Sequence, residues 1–124
     1  MKKSFLVLCL IFILVSCNSG KNGIDVEIKN SSEVPVNDAV FFTFGNSKLF
    51  FDKIEPNQKI TKFFDMTDTP KSDGSYTLTF TDKNGKKQLI GGGYYTNGGS
   101  LDRKVIYEIT NDTVLVEFKG FFEF

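Results

Sequence analysis

The residues able to do chemistry are few, and their scarcity limits what the chain can do. The 124 residues contain no histidine and two cysteines, Cys9 and Cys17. Without histidine there is no imidazole base for a serine or cysteine nucleophile, and the commonest metal ligand is missing. Hydrolysis would fall to carboxylates alone, as it does where two of them flank a glycosidic bond. The acidic residues here mostly sit in turns or alternate outward along predicted strands, and such residues are ordinarily solvated. Asp65, Asp68 and Asp73 share one loop with Gly74 behind them. Oxygen-rich loops can hold calcium. This spacing, however, lacks the alternating ligands and closing glutamate of a calcium loop, and Asp is an ordinary turn residue. Gly91-Gly92-Gly93 and Gly98-Gly99 lack the lysine-serine ending and the following helix of a phosphate cradle. No catalytic, metal or cofactor-binding residue is expected, and no cofactor.

Cys17 is the exception, because of what precedes it. Lys2 and Lys3 open the chain, an apolar run extends from Phe5 to Val15, and small Ser16 stands before the cysteine. A basic start, an apolar run and a small residue form the secretory pattern. The run is too short for a bilayer span, which needs roughly 20 apolar residues. Leu14-Val15-Ser16-Cys17 resembles the lipobox of bacterial lipoprotein signal peptides. That resemblance implies a helical signal peptide over residues 1–16 that is removed, and a Cys17 thiol carrying diacylglycerol. It also implies fatty acylation of the new amine. The first partner is then the membrane, held through lipid chains worth about 0.8 kcal/mol per buried methylene. Asn18 is not the aspartate of the inner-membrane retention signal, and no acidic run follows the cysteine. The resemblance therefore implies the outer membrane, on its periplasmic face, with the cell surface as the alternative. With Cys9 removed and Cys17 acylated, no disulfide is available to the fold.

The remainder, residues 17–124, amounts to a polar tether over 17–23 and one domain over 24–124. Lys and Arg number 15 against 15 Asp and Glu. Losing Lys2 and Lys3 leaves a slight acidic excess, which gives no reason to expect nucleic acid as a partner. Phenylalanine is abundant, 14 in the chain, and must supply much of the core. Ile24–Lys29 alternates strictly and reads as a strand with one buried face. Ala39–Phe44, Lys48–Ile54, Ile60–Phe64, Tyr76–Phe80, Lys86–Tyr95, Val105–Ile109 and Val114–Phe118 read as further strands. Glu55-Pro56-Asn57-Gln58 is a tight turn, and Asp82-Lys83-Asn84-Gly85 is a hairpin turn. The glycine run at 91–93 predicts a bulge or a close backbone approach, and Thr96–Asp102 reads as a loop. Seven or eight short strands without a helix predict an antiparallel, immunoglobulin-like β-sandwich. An up-and-down barrel is the alternative.

Ile28-Lys29-Asn30-Ser31-Ser32, the Ile-x-Pro-x-Gln turn within Phe51–Gln58, Ser75–Lys86 and Gly93-Tyr94-Tyr95 carry a further resemblance. They are similar to a diffuse group of small secreted bacterial proteins and lipoproteins, β-sandwich domains mostly of unassigned function. This resemblance bears on the fold and implies no activity. Asp112-Thr113-Val114 resembles the short O-glycosylation acceptor of exported proteins in the Bacteroidota, which would place a glycan on Thr113.

Three phenylalanine pairs lie on successive predicted strands: Phe41-Phe42, Phe50-Phe51 and Phe63-Phe64. Neighbours on a strand point to opposite faces, so one of each pair must leave the core. Phe41, Phe50 and Phe63 are expected outward, either under a second layer such as Phe121–Phe124 or as an exposed patch for a partner. Val26, Ile28, Val40, Phe42, Leu78, Phe80, Val105 and Tyr107 are expected inside. The leading reading is a non-catalytic, lipid-anchored module of the bacterial envelope, binding a protein or a glycan. Two alternatives are an envelope inhibitor or immunity protein using the Thr96–Leu101 loop, and a carboxylate-based glycan enzyme.

Overall fold

The computed structural model describes residues 22–46 and 48–121. Cys17 with its signal, and Phe122 and Phe124 of the aromatic tail, lie outside the described residues. Among the described residues nine strands form in chain order: β1 (Gly23–Asn30), β2 (Val40–Phe42), β3 (Leu49–Phe50), β4 (Lys59–Asp65), β5 (Gly74–Thr81), β6 (Lys87–Thr96), β7 (Gly99–Ser100), β8 (Asp102–Ile109) and β9 (Val114–Gly120). They make a four-stranded sheet, β4-β1-β8-β9, and a five-stranded sheet, β3-β2-β5-β6-β7. Among the described residues the two sheets share no ladder, which makes the fold a β-sandwich and not a closed barrel. Every pairing is antiparallel except β1 with β8. A parallel pair needs a long crossover, and here the crossover carries β4 and the whole second sheet.

The core forms where the alternating faces meet. Ile24, Val26 and Ile28 of β1, Tyr76, Leu78 and Phe80 of β5, and Val105, Tyr107 and Ile109 of β8 are all buried. Phe41 lies at the centre. Its ring meets Phe64 edge-on at 5.1 Å and stacks on Tyr76 at 5.6 Å.

That position of Phe41 reverses the expectation for β2. Ala39, Phe41 and Thr43 point inward, and Val40, Phe42 and Phe44 point outward. A slip of one residue moves every side chain of a strand to the other face. The segment is apolar except for Thr43, whose hydroxyl alone would favour an outward position. Instead Thr43 is buried, and its hydroxyl has no partner among the described residues. An unsatisfied hydroxyl costs about 1–3 kcal/mol. Burying a phenylalanine side chain returns about 1.5–3 kcal/mol, and the ring contacts with Phe64, Tyr76 and Tyr107 add to that.

Turn chemistry fixes the connections. Pro56 and Asn57 occupy the middle of a turn closed by Gln58 N–H donating to Glu55 O at 3.0 Å, with Asn57 at φ 67°. A positive φ at the third position and proline at the second define a type II turn. In the glycine run only Gly93 is constrained. It sits at φ 76°, at the irregularity between β5 and β6, and a Cβ there would lie 2.4 Å from the Phe118 ring. Thr96–Asp102 is not an open loop. Asn97 and Gly98, both at positive φ, turn the chain directly into β7. Gly98 N–H donates to Ser72 O at 2.9 Å, and the Asn22 side chain donates to Gly98 O at 3.2 Å. Asn22 and Gly23 thus belong to the domain, two residues earlier than the sequence suggested.

Candidate binding face

The outward residues of the five-stranded sheet form an ordered apolar surface. Cross-strand partners share a face, and the registers align Phe50, Val40, Thr79 and Leu89 in one row across β3, β2, β5 and β6. The adjacent row holds Phe42, Thr77 and Gly91. Sequence alternation explains the arrangement: β5 sends Tyr76, Leu78 and Phe80 inward, leaving Ser75, Thr77, Thr79 and Thr81 outside. Phe50 is 64% exposed, Leu89 70%, and Phe44, on the turn after β2, 90%. No side chain stands at Gly91, and a Cβ there would meet nothing within 4 Å. The Lys48 ammonium sits 5.4 Å from the Phe42 ring centre, a cation–π contact at the margin of the patch.

Polar groups bound this face at both ends. At one end Asp38 accepts from the Thr81 hydroxyl (2.6 Å), the Thr81 N–H (2.9 Å) and the Lys87 ammonium (3.2 Å). Burial pushes the Asp38 carboxyl up, but these partners together hold it below its ordinary value. At the other end a shallow basin of about 450 Å³ opens between Phe44 and Asp73. Asp73 accepts from the Thr96 hydroxyl (2.8 Å), the Asn97 N–H (3.0 Å) and the Tyr94 hydroxyl (3.0 Å). Those bonds, the Thr96 hydroxyl foremost, keep its carboxyl below the usual range. They also commit both oxygens to holding the β6–β7 hairpin.

Asp65 accepts from the Thr67 N–H at 2.9 Å, as turn aspartates do. Among the described residues no three His, Cys, Asp or Glu side chains group as metal ligands.

The three phenylalanines expected to form one patch are not together. Phe50 lies on the apolar face just described. Phe41 is core, because β2 runs in the opposite phase. Phe63 is exposed on the far side of the molecule, where it pairs with Asp25 on the outer face of the four-stranded sheet. Phe42, Phe44 and Leu89 complete the real patch. The sequence held one signal for it, the Ser/Thr alternation of β5, which marks that strand's outer row as uncharged. Thr113 is exposed in the β8–β9 turn, its N–H donating to the Thr110 hydroxyl at 3.0 Å.

No family model and no curated protein matches this chain. Among solved structures it is similar to a protein from Eubacterium rectale determined by NMR, with a TM-score of 0.54 at 14% identity. The match covers 86% of this chain and 98% of that one. At that identity the likeness concerns the sandwich fold alone.

Proposed function

We propose that the protein is a non-catalytic binding module, lipid-anchored in a bacterial envelope, which engages its partner through the outer face of the five-stranded sheet. The observation that carries this reading is the row Phe50, Val40, Thr79, Leu89, flanked by Phe42 and Phe44. Large contiguous apolar surface on a small domain marks interaction sites. An inhibitor would have to present the Asn97-Gly98 turn, which is pinned to Ser72 and Asn22 and offers a far smaller surface than the apolar face. The Asp38, Asp73 and Asp82 carboxylates are engaged in holding loops and hairpins, which favours binding over hydrolysis.

The anchor and the face are tested separately. Cys17→Ser should abolish labelling by fatty acid and leave an uncleaved or mislocalised precursor; continued labelling contradicts the anchor. For the face, wild type and Phe50→Ala/Leu89→Ala are compared for capture of protein or glycan from detergent-solubilised envelope. The variant should lose the capture at an unchanged melting temperature. Equal capture by both contradicts the assignment of the face. The envelope location also makes Thr113 a proposed O-glycan acceptor, with its exposed turn in support. An intact mass equal to polypeptide plus lipid, from the native host, rejects it.

A further inference from the structure

We infer that the chain forms a twofold dimer by pairing β9 with β9 of a second copy, joining two four-stranded sheets into one. β9 is an edge strand, bonded only to β8 among the described residues. Its hydrogen-bonding phase is set at the hairpin, where Thr110 N–H donates to Thr113 O at 2.9 Å. Bonded and non-bonded pairs alternate along an antiparallel ladder. Leu115, Glu117 and Lys119 therefore bond to β8, and the N–H and C=O groups of Val114, Val116 and Phe118 point outward, without a strand among the described residues to receive them.

Edge strands commonly carry charges that block such pairing. On β9 the charges instead select one register. An antiparallel self-pair centred on Glu117 sets Glu117 against Glu117, and one centred on Lys119 sets Lys119 against Lys119. Centring on Val116 puts Glu117 opposite Leu115. Centring on Phe118 puts Glu117 opposite Lys119 twice, exposed Leu115 opposite exposed Phe121 twice, and Val116 opposite Gly120. Glu117 and Lys119 lie side by side on the outer face, 3.9 Å apart within one chain, so both are placed to pair across the junction. Val116 points to the core side yet is 40% exposed, and the second copy's strand would cover it. The bonding phase permits this register, and charge and apolar complementarity favour it, which points to one occupant, a second copy of this chain.

The test uses the full chain solubilised from membranes, with the protein mass in the micelle measured by light scattering. Wild type should give twice the chain mass. Glu117→Lys alone and Lys119→Glu alone each place two like-charge pairs in the junction and should weaken dimerisation by about tenfold or more. Mixing the two variants should restore it, because each copy then opposes the other's sign at both positions. A monomeric wild type, single variants that dimerise like wild type, or a mixture that stays monomeric would each overturn the proposal. Melting temperatures of the single variants, expected to match wild type after dilution to monomer, separate lost pairing from lost folding.

Discussion

The two outer faces of this sandwich are built on the same backbone plan and differ in what their alternation sends to solvent. Outside the four-stranded sheet the rows are mostly charged: Lys59, Lys29 and Glu108 run on to Leu115 in one, and Asp25, Lys104 and Lys119 lie beside Phe63 in another. Those charges bond laterally, Lys104 to Glu27 at 3.1 Å and Lys29 to Glu108 at 3.5 Å. Outside the five-stranded sheet the rows are Phe, Val, Thr and Leu. A charged outer face is satisfied by water and by its own ion pairs. The uncharged one has neither, and it leaves large aromatic surface in water. The difference teaches which face water suits and which one the proposed partner would cover.

The core beneath both faces sets the upper end of the scale. Phe41→Ala should cost about 3–5 kcal/mol, as should Phe80→Ala, through lost burial and a cavity. Phe42→Ala, one residue away on the outer face, should cost well under half of that in denaturant unfolding. Equal losses at 41 and 42 would mean that the apolar face is covered.

On the charged face the most buried carboxylate is Glu27, 8% exposed and bonded to Lys104. Removing it leaves a half-buried ammonium without its acceptor, so Glu27→Ala should cost about 1–3 kcal/mol. Thr79→Ala, in the corresponding central row of the apolar face, should stay within about 0.5 kcal/mol. A costly Thr79→Ala would show that its row is packed.

Acid should act on both faces with the same sign. Asp38, at the end of the apolar face, is held below its ordinary 3.8 despite burial. Glu108, on the charged face, is held below 4.5, first by the Ser31 hydroxyl. A carboxyl lowered in the folded state contributes stability above its unfolded pKa, and that contribution disappears as pH falls through the folded value. Melting temperature should therefore fall below about pH 4. The gap between wild type and Asp38→Asn should be widest at neutral pH and close in that acid range. A gap independent of pH would contradict the assignment.

Much of this was legible in the sequence. Strict alternation placed β1, β5 and β8 and their buried residues, and Pro56-Asn57 and Asp82–Gly85 announced their turns. The bulge at the glycine run was expected, though only the structure shows that Gly93 alone requires glycine. Short strands in apolar context were not legible. Around Phe41 nearly every residue is apolar, so periodicity carried no phase. The candidate face escaped for a related reason: its rows join four strands, and only the register brings Phe50, Val40, Thr79 and Leu89 into line. Asn97-Gly98 is a hairpin pair by composition, but β7 is two residues long and leaves little pattern.

The central claim, that the outer face of the five-stranded sheet lies open to solvent as a binding surface, is tested most directly on adjacent identical side chains. Phe50 is 64% exposed and Phe51 is 5% exposed. Denaturant unfolding of Phe50→Ala and Phe51→Ala, side by side with wild type, should give a loss of at most about 1 kcal/mol for the first and about 3–5 kcal/mol for the second. If Phe50→Ala loses as much as Phe51→Ala, the face is covered core, and the binding surface assigned to it does not exist.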